Sequence, residues 1–344
     1  LKNTPQESQA ILSEGNKAAA DLTYRGEVIL NRNYGTDPAG SNMRGIAAFA
    51  EPEDMAGIQR ALWERSAGAP PLVFVGRDYA RWDEAQFLAH RAASAESAAD
   101  GTLTLWVGRP IAITSEPFTL TLEADADQAV AVVGPGGEVA AAGLRSMVLT
   151  ACHALAARGG SLVLLDGLGT AGWTAEVMSH AQDLGMETWV VERDHIAAWL
   201  RTELPGRLAE RRASAPMLVL GLGLQRAREM DVSDDVDEDP FEASPTARDL
   251  LRRLATDGAL AGVHLIGWWS TLRALEADLG PMLEGIAHVI TADLGRDELR
   301  SIAGPTVQRV AGSPRLGVHS RDGEGALVTV VPFDPHGRTV GGSE

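Results

Sequence analysis

The residues with the strongest claim to chemistry lie in one run, Val132-Val133-Gly134-Pro135-Gly136-Gly137-Glu138-Val139-Ala140-Ala141. An apolar strand that turns through glycines into a helix gathers backbone N–H groups where phosphate oxygens can sit. A complete phosphate loop of this kind reads Gly-x-x-x-x-Gly-Lys-Ser/Thr. Counted from Gly134, the second glycine, the lysine and the hydroxyl fall at Val139, Ala140 and Ala141, and all three are missing. The last lysine of the chain is Lys17, so no shift of register within this region supplies the ammonium. Glu138 adds like-charge repulsion at the place where the loop amides would cradle phosphate.

Nucleotide hydrolysis also needs carboxylates at the end of an apolar strand, to hold magnesium and orient water. The candidate strand runs Met217-Leu218-Val219-Leu220-Gly221-Leu222-Gly223-Leu224 and holds none, so Gly221 and Leu222 stand where acids are required. Leu162–Asp166 does end in an acid. A single aspartate there is more often a turn or capping residue than a metal ligand. Arg226 and Arg228 follow the acid-free strand and read as exposed helix-face cations. Trp268 and Trp269 close a third apolar run, either as core or, if exposed, as a docking pocket for a peptide or a neighbouring protomer. The lone Cys152 can form neither an internal disulfide nor a thiolate cluster and reads as a small buried apolar residue. The eight histidines lack ligand spacing, so neither a metal site nor a catalytic residue is assigned.

Short continuous apolar runs position these residues: 129–133, 161–165, 188–191, 217–220, 263–267, 287–291 and 326–331. Helical stretches at 141–157, 174–182, 194–212, 245–257 and 270–279 fill most gaps. This alternation predicts an α/β fold with a mostly parallel sheet covered on both faces. Upstream, the patterns predict helices at 8–22, 52–65 and 82–97, and strands at 27–31, 72–75, 103–107, 111–114 and 118–122.

The composition of the 344 residues, 45% apolar and 22% charged, is that of a globular chain. No uncharged apolar stretch approaches the roughly 18 residues of a membrane span, and no basic segment precedes an apolar run at the N-terminus. A soluble, cytoplasmic chain is expected. Thirty basic and 47 acidic residues leave a net charge of -17, which opposes binding to a polyphosphate. The acid excess is general, since residues 1–125 alone carry 11 basic and 17 acidic side chains. Seven acids between Asp231 and Glu242 read as a solvated loop, or as a surface that excludes DNA or meets a basic partner.

With these residues in view, Ala129–Ala157 resembles the nucleotide-binding strand, loop and helix of FtsK/SpoIIIE-type DNA translocases, with Gly143 and Met147 at matching helix positions. The order of elements agrees. Trp106–Leu122 resembles the family's leading strands, Leu162–Asp166 its next strand and Met217–Gly223 its Walker B strand. Val263–Ser270 resembles its sensor strand, with Trp268-Trp269 where the family carries a Thr-Gln-Arg run. The resemblance implies a RecA-like P-loop-NTPase fold with a degenerate nucleotide site spanning Gly134, Gly136, Gly137, Glu138, Val139, Ala140 and Ala141. It also implies a catalytically inactive module with no cofactor of its own, ATP and magnesium belonging to an active module of the parent protein.

A weak internal repeat extends this expectation. Residues 298–320 resemble the helix-then-strand tail that closes the family's motor core, and residues 7–31 read as another copy of it. The chain also starts at Leu1 without methionine. The expected organisation is 1–45 as the tail of a preceding motor module and linker, 46–125 as a small connecting α/β region, and 126–344 as the degenerate ATPase domain. The implied partners are that preceding module, a homo-oligomeric ring formed through the parent, and duplex DNA bound through the parent rather than this segment. Type VII secretion ATPases of the same superfamily share such tandem arrays, which makes a partner-docking module of a secretion motor the alternative. Two further classes stay open. A plain interaction module would keep the fold without motor function. A dinucleotide-binding enzyme would use Gly134-Pro135-Gly136, but it needs glycine at Val139 and an acid nearer than Asp166.

Overall fold

In the computed structural model the described residues are 3–32, 41–49, 51–65, 78–82, 86–87, 89, 101–114, 116–169, 172–210, 215–232, 244–307, 312, 314–321 and 327–334. The strand expected at 72–75, most of the helix expected at 82–97 and most of the acidic stretch 231–242 lie outside them. The chain divides into two compact units, 1–71 and 72–344.

The first unit holds helix α1 (Pro5–Ile11), strands β1 (Glu27–Asn31) and β2 (Asn42–Ile46) paired antiparallel, and helix α2 (Pro52–Arg65). The helix expected at 8–22 is corrected: α1 ends at Ile11 and a 3-10 turn follows at Ala18–Asp21. Thr4 and Glu7 cap its start reciprocally. The C-cap is Leu12, still right-handed, and three residues beyond it Gly15 takes φ 81°, a left-handed conformation through which no helix continues. The buried Ser8 hydroxyl fastens the turn by donating to the Asn16 carbonyl (2.8 Å) and accepting from the Ala19 N–H (3.0 Å).

The second unit is built on ten strands: β3 (Leu103–Pro110), β4 (Phe118–Leu122), β5 (Ala129–Val133), β6 (Ser161–Asp166), β7 (Glu187–Glu192), β8 (Met217–Leu222), β9 (Val263–Trp269), β10 (Ile286–Thr291), β11 (Leu316–Ser320) and β12 (Leu327–Pro332). Their order is β4-β3-β12-β11-β10-β5-β9-β8-β6-β7. The six strands from β10 to β7 run parallel, and the other four extend the sheet antiparallel. Residues 111–114, expected as a strand, form bends after Pro110 instead. Proline has no N–H to give the ladder, and the chain leaves the sheet there.

Helices cover both faces, which is why the central strands read as unbroken apolar runs. On one face lie α3 (Glu138–Ala156) and α4 (Gly172–Asp183), with Met147, Val148 and Ala151 packed on Val130, Val132, Leu164 and Leu220. On the other lie α5 (Ile196–Thr202), α6 (Leu204–Ala209), α7 (Ala247–Asp257), α8 (Leu272–Leu279) and α9 (Arg296–Ala303), covering Ala131, Val133, Val163, Val219 and Leu265. The single helix expected at 194–212 is also corrected: α5 and α6 are separate because Pro205 cannot donate to the ladder and its ring clashes with the preceding turn. Among the described residues, α3 is the one helix long and apolar enough to cross a membrane, and 78% of that stretch is buried inside the domain. Cys152 on α3 is fully buried, and burial pushes its thiol up to about 12, as expected of an inert core residue. Residues 7–31 hold the end of α1, the 3-10 turn and β1, and residues 298–320 hold most of α9 followed by β11.

Candidate functional site

The register brings the carboxyl ends of the central strands to one edge, with Val133 opposite Trp269, Trp268 opposite Leu222 and Leu222 opposite Asp166. In open α/β sheets this edge is where ligands bind. Leaving β5, the chain turns at Gly134 with φ 141°, donating its N–H to the Trp269 carbonyl at 3.0 Å. The turn presses on the end of β10 so closely that a Cβ on Gly134 would lie 1.9 Å from the Ala292 carbonyl oxygen. Helix α3 starts at Glu138, which is exposed, followed by half-exposed Val139, buried Ala140 and partly buried Ala141.

Trp268 occupies the space above this loop. Its Nε1–H donates to the Gly134 carbonyl at 3.1 Å, and its ring would come within 3.1 Å of a Cβ on Gly136. Beneath it remains a cavity of about 280 Å³ lined by Gly136, Gly137, Glu138, Ala140, Ala141, Leu144, Leu168, Trp173, Leu222 and Trp268. Its walls are apolar, and the single ionisable group among them is Glu138. Gly221 and Leu222 close β8 fully buried, Leu222 as cavity wall and Gly221 with no room for a Cβ because Leu224 Cδ1 would stand 2.7 Å from it. Leu144, Leu168 and Trp173 were not singled out in the sequence. Leu144 was within reach, since it lies one turn beyond Ala141 on the same helix face.

The other candidates take structural positions. Asp166 is buried, and one of its carboxylate oxygens accepts from the N–H groups of Leu168 (3.0 Å) and Gly169 (2.9 Å), which makes it a turn residue. Arg226 is exposed on a 3-10 turn, and exposed Arg228 reaches Asp194 at 3.6 Å. No group of three or more His, Cys, Asp or Glu suited to a metal occurs among the described residues.

Trp269 points to the opposite face of the sheet from Trp268, and both indoles are buried, at 0% and 6% exposure. The Trp269 Nε1–H donates to Asp278 Oδ2 at 2.8 Å, and Arg248 bridges Asp278 and Asp231. Burial pushes the Asp278 carboxyl up, against the Trp269 and Arg248 hydrogen bonds that favour its ionised form. The hydrogen bond from Arg248 holds the exposed Asp231 low. Asp278→Ala strands the indole N–H and one side of the guanidinium, and is expected to cost about 1–3 kcal/mol. The check is the urea midpoint, which Asp278→Asn lowers less because its amide oxygen still accepts from Trp269. An unchanged midpoint for the alanine variant would remove the role given to Asp278.

No family model matches the chain, and no curated protein sequence matches it. Solved structures do. The cytoplasmic domain of the Thermomonospora curvata type VII secretion ATPase EccC aligns over 96% of this chain at 14% identity with a TM-score of 0.50. The chain has the fold of an FtsK/SpoIIIE-type ATPase module. It spans 37% of that EccC structure. ATPases 2 and 3 of EssC from Geobacillus thermodenitrificans align over 78% of this chain and 48% of theirs, at 13% identity and a TM-score of 0.44. The pCW3 conjugation coupling protein TcpA aligns over 96% of this chain and 82% of its own, at 11% identity and a TM-score of 0.45. The loop 134–137 joins β5 to α3 as a strand–turn–helix, and the side chains at the helix start are Glu138, Val139, Ala140 and Ala141.

Proposed function

We propose that this chain is a catalytically inactive ATPase-like module of an FtsK/SpoIIIE-type DNA translocase, with a structural or regulatory role in a multi-module motor. One observation carries the reading: the cavity at the end of β5 has apolar walls, an indole over the loop, and a carboxylate where phosphate charge would have to be balanced. ATP and magnesium belong to an active module of the parent. That module is the chain's partner in the same polypeptide, and a ring of such polypeptides encircles duplex DNA in the cytoplasm. Direct DNA contact by this segment is disfavoured by its charge of -17.

A second reading, a docking module of a type VII secretion-like ATPase, draws support from the EccC match across nearly the whole chain. The two differ in what the parent moves, not in the chemistry of this segment.

Isothermal titration of the chain with Mg-ATP tests the shared part. The lost lysine, hydroxyl and carboxylates remove charge-assisted hydrogen bonds of roughly 1.5–3 kcal/mol each. Binding weaker than about 1 mM is expected, with no ATP turnover. Micromolar affinity, or turnover abolished by Gly136→Trp, would refute the reading.

A further inference from the structure

The cavity at the end of β5 has stayed open although its nucleotide chemistry is absent. Filling it would have needed only larger side chains at Ala140 or Ala141, and an unfilled apolar space forfeits packing. Its volume of about 280 Å³ lies above the roughly 150 Å³ that holds one benzene and just below the range of drug-sized pockets. One or two fused rings fit. Two walls are indoles, Trp173 and Trp268, and the Trp268 N–H is already committed to the Gly134 carbonyl. The walls therefore offer an occupant aromatic and aliphatic surface but no side-chain donor.

Charge selects among such occupants. Glu138 is exposed at the cavity, and forms neither an ion pair nor a hydrogen bond with the described residues. Its position in the first turn of α3 suits a carboxylate on its own account. It nonetheless repels anions and attracts cations, and indole faces favour cations as well. We propose that this cavity binds a compact aromatic amine, its ring between the apolar walls and its ammonium at Glu138. This rests on the reading of the site as one that has lost its nucleotide.

The test is a series that shares the indole ring and differs in charge, titrated calorimetrically into the full chain: tryptamine (cationic), indole (neutral) and indole-3-acetate (anionic), with Mg-ATP alongside. Tryptamine is expected to bind with a dissociation constant on the order of 10⁻⁴ M, about three- to tenfold tighter than indole, and indole-3-acetate more weakly than either. Glu138→Gln, an exposed and fold-neutral change, should bring tryptamine and indole to about the same affinity. Ala141→Phe, which puts a ring into the cavity, should abolish binding of both. Tryptamine affinity unaltered in both variants, indole-3-acetate binding as tightly as tryptamine, or no binding by any of the three overturns the proposal. Mg-ATP binding is a separate outcome and overturns the inactive-site reading itself.

Discussion

Gly134→Ala should destabilise the protein by about 2–6 kcal/mol, while Gly137→Ser, three residues along the same loop, should leave it as stable or raise it by a few tenths of a kcal/mol. At Gly134 the backbone has φ 141°, a region that side chains strain to occupy, and the added methyl would fall 1.9 Å from the Ala292 carbonyl oxygen. The obstacle is backbone, so neither a rotamer change nor a flexible side chain relieves it. The loop would have to part from the end of β10, which breaks the Gly134 N–H bond to the Trp269 carbonyl and the Trp268 bond to the Gly134 carbonyl. At Gly137 φ is 175°, extended backbone open to any residue, and no atom lies within 4 Å of where a Cβ would stand. A serine there can cap α3, whose N-cap now lacks a side-chain hydrogen bond. Urea midpoints of the two variants decide the matter. Equal midpoints would mean that the loop does not approach β10 in this way.

Stability should also fall on acidification because of one buried histidine. His264 on β9 is 2% exposed, its Nδ1 has no hydrogen-bond partner, and burial, with a smaller contribution from the Arg158 charge, depresses its pKa to about 4. An unfolded chain protonates this imidazole near its ordinary value of 6.5. Above pH 6.5 both states hold it neutral and the native state keeps its full stability. Between pH 6.5 and 4 only the unfolded chain takes up the proton, so stability drops with falling pH by about 1.4 kcal/mol per unit, reaching about 3 kcal/mol in all. Below pH 4 the native state protonates too and this contribution levels off. His264→Leu keeps the apolar volume of the site and removes the proton. Wild type should therefore lose about 2 kcal/mol more than the variant between pH 7.5 and 5.0, measured by urea unfolding at each pH. Parallel losses in the two proteins would exclude His264 as the source.

Much of this architecture is legible in the amino-acid sequence. The parallel strands were readable because a strand buried on both faces must be apolar throughout, and β5, β6, β8 and β9 are buried along their whole length. That no lysine follows Lys17 and that Met217–Leu224 holds no acid is a matter of composition and needs no packing to be seen. That Trp268 and Trp269 face opposite sides follows from the two-residue period of a strand. Gly15, through which no helix continues, and Pro205, at the break between α5 and α6, were also written in the residues, but the longer apolar periodicity around each of them points to a continuous helix.

Tertiary structure alone decided the rest. The antiparallel placement of β11, β12, β3 and β4 depends on which edges meet, and residue patterns do not encode strand order. The partner of the Trp269 N–H is Asp278, nine residues away beyond a turn, and the partner of the Trp268 N–H is a carbonyl 134 residues away. The cavity gathers Leu144, Leu168, Trp173, Leu222 and Trp268 from α3, the turn after β6, α4, β8 and β9. Local propensity and period act over a few residues and are written in the chain. Glu138 stands beside the loop by sequence alone, whereas the apolar walls it faces are a product of long-range packing and come together only once five separate segments have been brought to one edge of the sheet.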